Sequence, residues 1–201
     1  MRTYPCFFDD VEPIETYDPL ADILGASKEG KITYYYVDMV KLAGHSCPTV
    51  AGAWLMSKIG LQKLYGDKLP VRGEVKVEIR EALDEGVAGV IGNCIGLVTG
   101  AGNEGGFKGL GGKFARNNRL IFGAELGAQV RLTRLDNAAH VDLDYNPSII
   151  PPDPAMQPLM QKIMQGAASG EEKALFGQLW QERVEKILLS TELWPEMVTV
   201  R

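Results

Sequence analysis

One histidine and two cysteines have the types and settings to do chemistry. His45 and Cys47 stand one residue apart in Gly44-His45-Ser46-Cys47-Pro48, and the chain holds only 2 histidines and 3 cysteines in all. Pro48 suits the first position of a helix, since it lacks an N–H that would be unpaired there anyway. Val50, Trp54, Leu55, Ile59 and Leu61 follow at helical spacing, which predicts a buried helix running to about Tyr65. His45 and Cys47 then lie at a helix N-terminus, where the macrodipole favours a thiolate. Cys94 follows a run of small residues and is expected just before a second helix, a setting like that of Cys47.

If the two helix entrances face each other, His45, Cys47 and Cys94 form a nitrogen-and-two-sulfur ligand set. Such a set suits zinc or another borderline-soft divalent metal and leaves a position for water or substrate. Water on such a metal has a pKa near roughly 7 and supplies a nucleophile or base. The bland alternative is a pair of buried core thiols beside a hydrogen-bonded histidine. A Cys47 nucleophile activated by His45 ranks lower, because an i, i+2 pair in one loop rarely has nucleophile-to-base geometry. Cys6 reads as a packing residue and His140 as structural.

The elements that must position these residues are read from pattern. Residues 18–25 predict a short helix with Asp18 as its cap and Pro19 in its first turn. Residues 31–37 are β-branched and aromatic and predict a strand leading to the His45 loop. Residues 73–80 alternate polar and apolar with period 2, and 86–91 read as a small buried strand or a close approach of backbones. Residues 100–113 hold seven glycines in fourteen positions, too many for the interior of a regular element. They read either as a loop approaching a ligand, with Lys108 and Lys113 available to an anion, or as a flexible connector. Strands at 120–125, 128–133 and 140–145 predict an antiparallel meander. Five prolines between 147 and 158 make a stiff connector, and 155–165 and 171–189 are helical. The expected fold is α+β: a mostly antiparallel sheet packed against a central helix, with a C-terminal helical extension. Residues 1–146 are the core with an N-terminal extension, and 147–201 are the connector and helices packed on it.

Bulk properties narrow the function. A net charge of −5 without a cluster of Lys and Arg argues against a nucleic-acid groove. No stretch approaches the roughly 20 apolar residues of a membrane span. The acidic, proline-broken start does not resemble a signal peptide, and an odd number of cysteines is no disulfide framework. A soluble, cytoplasmic protein is expected.

The segment from Ala43 to Met56 resembles the core motif of the FmdE family, named for its association with formylmethanofuran dehydrogenase. Gly44, His45, Cys47 and Pro48 match its first motif, and Cys94, Thr99-Gly100, Gly102-Asn103 and Gly112-Lys113 match the second. The resemblance spans roughly residues 35–135. It implies an α+β core, a homodimer, and a metal or cofactor site lined by His45, Cys47 and Cys94, with Asn103 and Lys113 as cofactor-binding residues. It also implies an accessory role, with a redox-enzyme partner, beside molybdenum or tungsten enzymes. Ala43, Leu97 and Ala101 stand where members often have His, Asp and Cys, which favours binding over catalysis. No cysteine follows Cys94, so the C-terminal zinc finger of some members is not expected. Zinc is the first expectation. Haem is the alternative, ligated by His45 or a cysteine between walls of Trp54, residues 34–36, Met39 and Met56. A third reading is a structural assembly protein with a vestigial site, whose C-terminal helices are the working surface.

Overall fold

A computed structural model describes residues 3–201. Its axis is the expected helix, Pro48–Tyr65, with Cys47 as N-cap and Gly66 as C-cap. For the elements in chain order, β1 is Ile14–Tyr17, α1 Pro19–Ile23, β2 Lys31–Tyr34, α2 Tyr36–Ala43 and α3 this central helix. There follow β3 at Val75–Ile79, α4 at Ala88–Thr99, β4 at Leu120–Ile121, β5 at Val130–Arg134 and β6 at His140–Tyr145. The chain closes with α5 at Met156–Met164, α6 at Gly170–Leu189, α7 at Trp194–Met197 and β7 at Val198–Val200.

The fold is α+β, as expected. Five strands in the order β4-β3-β5-β6-β7 form one sheet, antiparallel except for the β3–β4 pair. Val75, Val77, Ile79, Val130, Leu132, Val141 and Leu143 give the sheet its buried face. Gly60 lets α3 come down on this face, because a Cβ there would meet the Leu132 side chain at 2.6 Å. Helices α4 and α6 also pack on α3. This accounts for buried residues on all its sides, from Val50, Ala51 and Trp54 to Leu55, Met56 and Leu61.

Four details differ from the sequence expectations. Residues 36–43 form a helix rather than the end of a strand: Asp38 accepts the Tyr35 N–H at 2.9 Å, and Gly44 ends the helix with φ +76°. Tyr36, Met39, Val40 and Ala43 carry the helical period, which outweighs the strand preference of three tyrosines. Residues 86–91 are no strand either, since α4 begins at Ala88 and Cys94 sits well inside it. Its glycines serve close packing: a Cβ on Gly92 would meet the Phe122 ring at 2.5 Å. Strand β4 is only two residues long and lies parallel to β3, so residues 120–145 are not a simple meander. Finally, β7 pairs with β6 and extends the sheet.

A buried ionic knot ties the N-terminal hairpin of β1 and β2 to the glycine loop. Asp18 caps α1 by accepting from Leu20 and Ala21, and also accepts from Arg72 at 2.9 Å and Arg116 at 2.8 Å. Asp18 and Arg116 are both buried. Burial alone would raise the Asp18 pKa, but hydrogen bonds from Arg72 and Ala21 and the charge of Arg116 outweigh it and hold it below the ordinary carboxylate range. The Arg116 guanidinium lies where a Cβ on Gly73 would be, so Gly73 is required there.

Candidate functional site

The loop between α2 and α3 carries His45, Ser46 and Cys47. Cys47 is buried and its Sγ accepts the Val50 N–H at 3.5 Å, so the thiol itself caps the helix. His45 is exposed, and its Nδ1 lies 2.9 Å from the Ala43 carbonyl oxygen. A carbonyl only accepts, so Nδ1 carries a proton, and in the neutral ring the lone pair is on the free Nε2. In that form His45 presents Nε2 as an unprotonated ring nitrogen. The hydrogen bond of Cys47 Sγ is with the Val50 N–H and that of His45 with the Ala43 carbonyl, so among the described residues no His45–Cys47 hydrogen bond supports the cysteine-nucleophile reading.

The backbone of this loop is held from three sides. The Ser46 hydroxyl pairs with the Tyr36 hydroxyl at 3.0 Å. From α6, Trp180 Nε1 and Gln181 Nε2 both donate to the Ser46 carbonyl, at 2.9 and 3.2 Å. Tyr145, at the end of β6, donates to the Pro48 carbonyl at 3.0 Å. Its ring occupies the space a Cβ on Gly52 would enter at 2.3 Å. None of these partners is near the loop in sequence except Tyr36. Their only sequence signal is an aromatic or amide group on an otherwise ordinary helix or strand.

Cys94 reaches the same neighbourhood from α4. It is 1% exposed, and burial, helped by Cys47, pushes its thiol up to about 12. The Tyr36 hydroxyl is raised by burial, against the Ser46 hydrogen bond, and Cys47 and Cys94 both add to the shift. Tyr145 is likewise raised by burial, with Cys47 adding. Trp54 stacks edge-on to Tyr36 at 6.0 Å, and its buried Nε1 has no hydrogen-bond partner.

The structure therefore brings Cys47 and Cys94 together with Tyr36 and Tyr145, and sets His45 at the surface of the same loop. Among the described residues, no three His, Cys, Asp or Glu side chains gather into a metal-holding group. Asn103 and Lys113 lie on the glycine loop. Asn103 bonds to Gly105, Gly106 and Asn118, and Lys113 to Leu110, all within that loop. Trp54, Met39 and Met56, the walls imagined for haem, belong to the filled core. Cys6 is exposed, contrary to its reading as a packing residue; the neighbouring Phe7 and Phe8 do the packing.

Residues 42–193 match the family model described as FmdE, Molybdenum formylmethanofuran dehydrogenase operon. The chain belongs to the FmdE family. No curated protein matches it. The FmdE match opens at Leu42, one turn before the His45 loop, and closes at Leu193, beyond Trp180 and Gln181. Loop, Cys94 helix and clamping helix α6 thus all fall within the FmdE region, whereas Asp18 and the β1–β2 hairpin precede it. Among the described residues no helix is long and apolar enough to cross a membrane.

Proposed function

We propose that this FmdE-family chain is an accessory protein to a molybdenum- or tungsten-dependent redox enzyme, and that it binds a soft divalent metal, zinc first, through His45, Cys47 and Cys94. The accessory role is supported by the family description. The metal site is supported above all by one observation: the Nδ1–H of His45 is tied to Ala43, which frees Nε2 on the loop that also carries Cys47. Metal-ligating histidines are commonly oriented by a hydrogen bond from the other ring nitrogen to a backbone carbonyl.

The fit is incomplete as the side chains stand. His45 faces solvent while Cys47 and Cys94 are both buried, so joint ligation requires the imidazole to turn inward and the thiols to lose their protons. A divalent metal held by these residues would favour the thiolate forms. The hydrogen bonds to Ser46 and Pro48 keep the backbone in place meanwhile. A reducing compartment such as the cytoplasm would preserve the thiols.

Cobalt(II) titration of untagged, metal-free protein tests this reading, because thiolate ligation gives an intense charge-transfer absorption. The band is expected in the wild type, lost in Cys47→Ser and weakened in Cys94→Ser. Absence of any band, or equal bands in all three proteins, would overturn the assignment.

A further inference from the structure

Towards its C-terminal end the central helix loses its cover on one side, where Ile59 is half-buried and Lys63 exposed. These two residues are four apart and share a face of α3. Together with Thr191, Trp194, Pro195, Val198 and Val200 they line an open cleft of about 380 Å³. A volume of that order falls within the range of small-molecule sites. Strand β7, which supplies Val198 and Val200, is an edge of the five-stranded sheet, with no strand beyond it.

The walls are fixed by the fold itself. Trp194 Nε1 donates to the Ile187 carbonyl at 3.2 Å, which sets the indole ring. Strand β7 is held to β6 in the register Leu143–Val200 and Tyr145–Val198, and the Asn146 N–H donates to the Met197 carbonyl at 2.8 Å. Ile59, Trp194 and Val200 nevertheless stay only partly buried. A preformed, mainly apolar concavity with few polar groups is the usual form of a ligand pocket.

The polar groups here are the Lys63 ammonium and the Thr191 hydroxyl. Among the described residues Lys63 is in no ion pair, and no carboxylate lines the cleft. The neighbouring cleft of about 230 Å³, which shares Trp194, is different in kind. Glu12 and Glu15 line it beside Lys58 and Lys68, and Lys58 is already paired with Glu12 at 3.1 Å. The apolar cleft therefore holds a cation without a counter-charge.

We propose that this cleft binds a small apolar monocarboxylate, its hydrocarbon body against Ile59, Trp194, Val198 and Val200 and its carboxylate at Lys63 and Thr191. Removal of hydrocarbon from water supplies affinity, and the ammonium selects the charge. Lys63 and Cys47 lie at opposite ends of α3, about 24 Å apart along its axis at 1.5 Å per residue. The cleft shares no residue with the His45 loop and stands or falls independently of the metal reading.

Calorimetric titration of the full chain with octanoate tests the site, with octylammonium as a probe of the same hydrocarbon body and opposite charge. The wild type is expected to bind octanoate saturably and about tenfold or more tighter than octylammonium. The substitution Lys63→Gln is expected to weaken octanoate about tenfold, and Lys63→Glu to reverse the preference, both with unchanged circular dichroism. In ¹⁵N-labelled protein the indole resonance shifted by octanoate is expected to be the one missing from Trp194→Phe. The absence of saturable octanoate binding overturns the proposal, as do equal affinities for the two probes in the wild type. So does a preference that neither Lys63 variant moves, or a shift confined to the indoles of Trp54 and Trp180.

Discussion

At the scale of single residues, protonation decides what the His45–Cys47 loop can do. Burial holds the Cys94 thiol up at about 12, so it is protonated in neutral solution, and the proposed metal would have to displace that proton. Apparent zinc affinity is therefore expected to climb with pH between 6 and 8, by about one decade per unit for each proton released. Competition titrations at several pH values check this. A flat profile would mean that the thiols are not ligands. In Cys94→Ser the slope should fall by one proton while folding is retained, because a serine fits the same buried space. His45→Ala should weaken zinc binding without destabilising the fold, since the ring is exposed and its one hydrogen bond is local.

Among the elements, the loop depends on partners far away in the chain. Trp180→Phe removes one of the two side-chain donors to the Ser46 carbonyl while keeping an aromatic ring. It is expected to cost about 0.5–1.5 kcal/mol, measurable by urea unfolding. Gly52→Ala drives a methyl group into the Tyr145 ring and should cost about 1–3 kcal/mol as an overpacked contact. Much of that cost should return in the double variant with Tyr145→Ala, where the ring is gone, so a double-mutant cycle would show strong coupling.

The same contacts explain what the sequence disclosed. Helix α3, the β3 alternation and β6 were legible because each carries its own period or cap: Pro48 at the start, Val75-Val77-Ile79 on one face, Val141-Leu143 on another. Helix α2 was hidden by tyrosines that favour strands, and α4 by glycines at 89, 92 and 96 that look like strand or loop residues. Of these, Gly92 and Gly96 answer to Phe122 and Ala101, tertiary neighbours that no local pattern records. Of the candidate site, the sequence made legible the residue types, two of which sit in one short motif. The clamp by Trp180, Gln181 and Tyr145 was not, because it joins residues up to 135 positions apart.

Across the whole molecule, the Asp18 knot couples the N-terminal hairpin to the FmdE region. Asp18→Asn leaves two arginines facing an uncharged amide, one of them buried, and should cost about 3–5 kcal/mol of stability. Because the folded-state pKa is lowered, this stabilisation is fully present above the ordinary carboxylate range and is lost as pH falls through the folded-state value. Acid unfolding of Asp18→Asn should accordingly be less steep than that of the wild type.

All these features serve the view that the FmdE fold holds a soft-ligand loop rigid at the head of its central helix. Elemental analysis of untagged protein tests that most directly, with wild type compared against Cys47→Ser prepared identically. The expected result is about one equivalent of zinc or a similar divalent metal per chain in the wild type, as a single three-ligand site implies, and little in the variant. Equal metal content in the two, or none in a wild type supplied with zinc, would contradict it.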